Sequence, residues 1–142
     1  MAQAIVVTLE KELPESAASA AAAYAKAKSG KALARETDRL DSAARRKRVT
    51  PPSSLVSESQ AVLAEQMREA GFDPSKMRLP DELWFPAADG LATVRALIEH
   101  VSANLNDFKQ PNPILRDLKS AEALLTAADA AGVKFHFTRA DV

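Results

Sequence analysis

The chain of 142 residues has no cysteine, which excludes disulfide bridges, thiolate catalysis and zinc sites built on cysteine. It has only four glycines, and they form no Gly-rich loop of the kind that cradles a phosphate with backbone amides. Neither of its two histidines belongs to an H-E-x-x-H metal-binding motif. The sequence therefore predicts no cofactor, no metal and no catalytic residue.

An excess of charge of one sign is also missing, because 19 Lys and Arg balance 19 Asp and Glu. Proteins that bind nucleic acid usually carry a basic excess, since neutralising phosphates supplies much of their affinity. No apolar run approaches the roughly 18 residues that span a bilayer, and the N-terminus lacks the pattern of a signal peptide. We therefore expect a cytoplasmic protein that has no membrane partner and is not drawn to nucleic acid by its net charge.

What is present is an ordinary globular composition, with 46% apolar and 27% charged residues. The length is that of one domain and is sufficient to bury a core. Alanine is abundant, which raises helix propensity and is typical of GC-rich bacterial genomes. We expect residues 1–142 to form a single domain with a Pro/Ser-rich loop at 50–56.

Apolar residues at helical spacing predict four to five helices, at residues 17–28, 31–47, 57–70, 90–105 and 112–131. The first is rich in alanine and predicts either a close-packing interface or a weakly packed, exposed helix. The third carries an apolar stripe that we expect to be buried, formed by Val62, Leu63, Met67 and Ala70. Gly71 and Gly132 follow the third and the last helix, at the position where a left-handed residue ends a helix.

Two β-prone runs lie at opposite ends of the chain, at residues 4–9 and 133–138. An isolated strand leaves its backbone groups unpaired, so we expect these two runs to pair with each other. The fold class is therefore mainly α (α+β), with a small two-stranded sheet that joins the two ends. Strict alternation predicts that His136 points to the polar side of its strand, away from Phe135 and Phe137.

The best candidate for a ligand or partner surface is Leu83, Trp84 and Phe85, which lie in a segment bounded by prolines. Tryptophan is enriched at interface hot spots, and a turn between prolines can present it rigidly. The alternative is that Trp84 and Phe85 cover one end of the core. Tyr24, the one large side chain of the alanine-rich helix, is a further candidate for the partner surface.

A second candidate site consists of His100 and His136, because histidine is the usual general base near neutral pH. Asp107 or Tyr24 could complete such a site if the fold brought these residues into one cleft. The alternative is that both histidines are ordinary surface or half-buried residues. Asp38 and Asp41 share a helix face, but the arginines around them indicate a solvated charged face rather than a pair of catalytic carboxylates.

The run Arg45–Arg48 is the best indication of nucleic-acid binding, because guanidinium groups suit phosphates. It stands at a predicted helix C-terminus, where cations also complement the helix dipole.

These features favour a non-catalytic protein-interaction module, such as an adaptor, a regulatory subunit or an immunity-type inhibitor. Its partner would be another protein, or a second copy in a homodimer. A small enzyme built around His100 and His136 is the alternative, and weak nucleic-acid binding through Arg45–Arg48 is the second alternative.

Overall fold

The computed structural model describes residues 3–27 and 30–141, with the backbone alone at Asp141. In these residues it has two strands and six α-helices. They are β1 (Gln3–Leu9), α1 (Ala18–Ala27), α2 (Lys31–Arg35), α3 (Thr37–Arg46), α4 (Gln60–Glu69), α5 (Ala87–Ala103), α6 (Pro111–Ala131) and β2 (Phe135–Asp141). The predicted fold class is confirmed. The predicted end of the first helix at Lys28 lies outside the described residues.

The sheet consists of β1 and β2, which pair antiparallel from Gln3 opposite Asp141 to Leu9 opposite Phe135. The predicted pairing of the two ends of the chain is thus confirmed. The edge of β1 that does not face β2 is covered by Tyr24, because Val7 donates its N–H to the Tyr24 hydroxyl at 2.9 Å. Covered edges protect so short a sheet from pairing with other chains.

The core lies between α5, α6 and one face of the sheet. Helical spacing predicts apolar faces for these two helices, and most of their residues are buried. The exceptions are Ile98, which is half-buried, and Leu105, which is exposed. The predicted faces are Leu91, Val94, Leu97, Ile98, Val101 and Leu105, and Ile114, Leu118, Ala121, Leu125 and Ala128. Large side chains of this core include Leu97 and Val101 of α5, Ile114, Leu118 and Leu125 of α6, and Phe135 and Phe137 of β2. None of the described helices is both long and apolar enough to cross a membrane.

The helix predicted at residues 31–47 is two helices, because Glu36 leaves the helical conformation with φ −120° and ψ 29°. Its buried carboxylate accepts hydrogen bonds from the backbone N–H groups of Lys109 at 2.7 Å and Gln110 at 3.2 Å. These amides precede α6, where a carboxylate is favoured by the free N–H groups of the helix start. The contact with a distant segment therefore breaks a helix that the local pattern predicts to be continuous.

The stripe predicted to be buried on α4 is not buried, and this prediction was wrong. No residue of α4 is buried, and the Val62 side chain is exposed. The helix forms with Gly71 in a left-handed conformation beyond its end, as predicted, but it begins at Gln60 and not at residue 57. Its N-cap is Ser59, which accepts the N–H of Val62 at 3.2 Å. The amphipathic pattern therefore predicted the helix, but it did not show that the apolar stripe of this helix is left unburied.

Candidate interaction surface

Residues 82–85 form a short extension along the outer edge of β2. Phe85 and Phe135 exchange two backbone hydrogen bonds of 2.8 and 2.9 Å. Leu83 donates its N–H to the Ser57 hydroxyl at 2.7 Å. Ser57 in turn donates its own N–H to the carbonyl of Phe137 at 2.9 Å. The backbone of this segment is therefore fixed to the sheet on both sides of Trp84.

The imidazole of His136 lies beneath this segment. Its Nε2 atom is 2.7 Å from Oε2 of Glu82, and its Nδ1 atom is 3.1 Å from the carbonyl oxygen of Phe137 and 3.2 Å from the Thr138 hydroxyl. The Thr138 hydroxyl is 2.6 Å from that of Thr8 on the neighbouring strand. A continuous line of polar contacts thus runs from the partly exposed Glu82 carboxylate to the middle of the sheet.

His136 does lie among polar groups, as alternation predicts, but it is completely buried, so the expectation of a surface or half-buried histidine was wrong. The reason is Trp84, whose ring centroid lies 4.4 Å from that of His136 at an interplanar angle of 39°. The indole covers the imidazole on the face of the sheet that alternation predicts to be solvated.

The three consecutive residues of the predicted partner surface therefore lie in different environments. Trp84 is half-buried over His136. Phe85 is half-buried with its ring 6.4 Å from that of Phe135. Leu83 has 56% of its surface exposed although its backbone is fixed.

Leu83 belongs to the segment 57–83, here called the α4 arm, which is rich in exposed apolar side chains. Of the five large apolar side chains that are exposed among the described residues, four lie in this arm, namely Val62, Phe72, Met77 and Leu83. A groove of about 350 Å³ runs between α4 and residues 80–83. Its apolar lining residues are Val56, Leu63, Pro80 and Leu83, and its charged ones are Glu58, Asp81 and Arg139. The arm has six carboxylates and three cations, so it is an acidic part of a chain without net charge.

Tyr24, the fourth residue predicted for the partner surface, is half-buried at the other edge of the sheet. Its hydroxyl accepts the N–H of Val7 on β1, whereas residues 82–85 line the edge of β2. The sheet lies between them, so the structure does not bring Tyr24 to Leu83, Trp84 and Phe85.

His100 and His136, the second predicted site, pack against different aromatic side chains, Phe108 and Trp84. His100 is half-buried in the last turn of α5, with its ring 6.2 Å from that of Phe108 in an edge-on arrangement. It lines an open cavity of about 510 Å³ together with Asp107 and Arg46. The cavity thus holds His100 and Asp107 as the enzyme hypothesis requires, but His136 and Tyr24 do not line it.

The basic run Arg45–Arg48 lies at the C-terminal end of α3, where all four side chains are exposed. Lys47 forms an ion pair with Glu99 of α5, with 3.5 Å between Nζ and Oε1. Arg48 follows the helix in a left-handed conformation with φ 59°.

Sequence reasoning missed Glu82 as the partner of His136, and with it Thr8 and Thr138. Alternation along β2 does place Thr138 on the same face as His136, two residues away. Glu82 is 54 residues from His136 in a turn-rich segment, and no periodic pattern links two such positions.

No group of three or more His, Asp or Glu side chains suited to a metal ion occurs in the described ranges. Comparison of the chain with protein-family models, with curated proteins and with solved structures found no match.

Proposed function

We propose that this protein is a non-catalytic protein-interaction module that binds its partner through the α4 arm. The observation that carries the proposal is the concentration of exposed apolar side chains there, at Val62, Phe72, Met77 and Leu83. Grouped apolar side chains that remain exposed on a folded protein are a common mark of interaction sites, whereas scattered ones are ordinary.

Rigid presentation of Leu83 supports this proposal. Binding is weakened by the entropy of ordering side chains and loops, and an anchor that is already fixed avoids much of this cost. Leu83 stands between the buried Glu82–His136 contact and the two hydrogen bonds that join Phe85 to Phe135. Its side chain therefore projects from a backbone that need not reorganise when a partner binds.

Charge defines the class of partner. Glu58 and Asp81 line the groove with one cation, Arg139 of β2, and the arm as a whole carries twice as many carboxylates as cations. Charged groups at the rim of an interface select partners and accelerate association with the opposite charge. We infer that the partner is a protein whose contact surface has an apolar centre surrounded by lysine and arginine. The present protein would bind it as an adaptor, a regulatory subunit or an immunity-type inhibitor.

The enzyme alternative has less support from the geometry. A general base must come within hydrogen-bond reach of a substrate, directly or through one water. The ring of His136 is buried beneath Trp84, and groups of the protein occupy the positions next to both of its nitrogens. This environment favours a structural role for His136, in which it holds Glu82 and the arm on the sheet.

The proposal is tested by placing a photo-crosslinking amino acid at position 83 and, as a control, at the exposed Ala130 of α6. After irradiation in a lysate of the source cells, we expect a discrete adduct from position 83 that the control does not give. Unlabelled wild-type protein should compete for this adduct, whereas a folded Leu83→Asp variant should not. Because rim charges contribute, the yield should fall as the salt concentration rises.

Three outcomes would contradict the proposal: no adduct at position 83, the same adducts at positions 83 and 130, or equal competition by Leu83→Asp. An adduct containing two copies of this chain would show that the partner at this surface is a second copy in a homodimer, and not a different, basic protein. Mass spectrometry of the adduct distinguishes that outcome from a different partner.

A further inference from the structure

We propose that a cavity between α3 and the end of the sheet binds a small zwitterion of the amino-acid class. The cavity measures about 420 Å³, within the roughly 300–1,000 Å³ range of small-molecule sites. It shares Arg139 with the groove of the α4 arm but none of that groove's other lining residues, and the proposal does not depend on the protein-interaction function.

Four charged side chains line this cavity, two of each sign. Asp38 and Asp41 project from one face of α3, Arg35 comes from the end of α2, and Arg139 from β2. Other opposite charges in this protein do form ion pairs, such as Arg39 with Glu36 at 3.3 Å. Among the described residues, no ion pair within 4 Å joins any two of the four charges of the cavity.

The buried carboxylate of Asp41 also points to a ligand, in addition to the four charges, which are unpaired among the described residues. It is only 7% exposed, and its Oδ1 atom accepts the N–H of Ser53 at 3.1 Å. Its Oδ2 atom has no hydrogen-bond partner among the described residues. An ionised carboxylate is costly to bury unless an opposite charge or further hydrogen bonds compensate it. A cationic group bound in the cavity would supply that compensation.

The arrangement of the walls suggests how such a ligand would lie. An ammonium group would be placed next to Asp38 and Asp41, and a carboxylate next to Arg35 and Arg139. Arg35 donates to Oε1 of Gln110 at 3.2 Å, which leaves most of its roughly five N–H donors for a ligand. Ile5 and Ala34 add apolar surface to the same cavity, which suits an aliphatic side chain.

The test is a titration of the ¹⁵N-labelled full chain, followed by its amide NMR spectrum, with L-leucine, L-leucinamide and N-acetyl-L-leucine. L-Leucinamide lacks the carboxylate, and N-acetyl-L-leucine lacks the ammonium group. We expect L-leucine to shift the amide signals of residues around the cavity, such as Thr37 and Ser53. Each analogue should bind about tenfold more weakly or worse, because it loses charge-assisted hydrogen bonds.

Two variants assign the two ends of the ligand. Asp38→Asn should weaken the preference for L-leucine over N-acetyl-L-leucine, and Arg139→Gln should weaken the preference over L-leucinamide, while Asp41 and Arg35 retain part of each. Both side chains are exposed and have no hydrogen bond to another described residue, so neither variant should disturb folding. Arg116→Gln, at an exposed position of α6, is the control and should bind as the wild type does.

The proposal is overturned if L-leucine shifts no signals at tens of millimolar, if the shifts lie away from the cavity, or if all three compounds bind equally. It is also overturned if Asp38→Asn discriminates between L-leucine and N-acetyl-L-leucine as strongly as the wild type does. Asp38 decides between this site and the protein-interaction surface, because Arg139 also lines the groove of the α4 arm and Asp38 does not.

Discussion

The carboxylate of Glu82 lies 2.7 Å from Nε2 of His136, and this contact joins a turn-rich segment to a fully buried position of β2. Because Trp84 packs on the same imidazole, the contact fixes residues on both sides of Leu83. The position of the exposed Leu83 side chain is thus linked to a hydrogen bond in the interior.

Removing this hydrogen bond should destabilise the protein. We expect Glu82→Ala to lower the free energy of unfolding by about 1–3 kcal/mol, because a buried donor loses its partner. Glu82→Gln can still accept a hydrogen bond from Nε2 and should cost less. Urea denaturation of the wild type and both variants measures the difference. Equal stability of Glu82→Ala and the wild type would show that the contact contributes nothing.

Trp84 should protect His136 from chemical modification. We expect diethylpyrocarbonate to modify the half-buried His100 of the wild type before His136, as read by peptide mass spectrometry. In Trp84→Ala, His136 should be modified faster than in the wild type, although the contacts of its two nitrogens remain. Trp84→Phe retains an aromatic ring and should keep much of the protection. Unchanged protection in a folded Trp84→Ala variant would mean that other groups exclude the reagent.

The same substitution also measures how much Trp84 contributes to stability. Since Trp84 is half-buried, Trp84→Ala should cost less than the roughly 3–5 kcal/mol typical of a fully buried tryptophan. Thermal and urea denaturation provide the value. A loss within or above that range would indicate a role in the core beyond the contact with His136.

Gly30 should tolerate no side chain. Its φ is 116°, and a Cβ atom there would collide with the carbonyl oxygen of Ile5. Gly132 is the matched control, because its φ is 69° but no atom lies within 4 Å of a Cβ atom placed there. Gly132→Ala should cost about 1–2 kcal/mol from backbone strain alone.

Gly30→Ala should exceed that cost by about 1–3 kcal/mol, because backbone must move to make room. Urea denaturation of the two variants gives the comparison. Equal losses of unfolding free energy in the two variants would mean that β1 can shift away from position 30 at no energetic cost.

The Ser75 hydroxyl and the Ser75 backbone N–H both donate hydrogen bonds to the Asp73 carboxylate. These bonds, that of the hydroxyl more than that of the backbone, lower the pKa of Asp73 below its usual value. Both bonds favour the charged carboxylate, so their contribution to stability is present at neutral pH and is lost as the pH falls through the lowered pKa. Ser75→Ala should raise the pKa of Asp73 towards its usual value, whereas Ser75→Thr should keep it low. An NMR titration of the Asp73 carboxyl measures this pKa, and an unchanged value in Ser75→Ala would contradict the assignment.

Much of the fold follows from local patterns. Apolar residues at helical spacing located α5 and α6 and most of their buried faces, because a long amphipathic stripe has few other ways to be covered. The pairing of β1 with β2 followed from the need to satisfy backbone groups in a chain with only two β-prone runs. These conclusions required no knowledge of distant contacts.

The candidate site was predictable only in part. Sequence analysis selected Leu83, Trp84 and Phe85 from composition and flanking prolines, but it could not find the groove of the α4 arm. The exposure of Val62 on α4 depends on whether another element packs against that helix, and periodicity alone does not contain this information.

The sequence by itself determined where the helices and strands form, because their periodicity and end signals act over a few residues. Only the tertiary structure decided the break at Glu36, the partner of His136 and the exposed face of α4. The first two depend on contacts across 73 and 54 residues. The energy of such contacts comes from burial and hydrogen bonding between segments that meet only after the chain has folded.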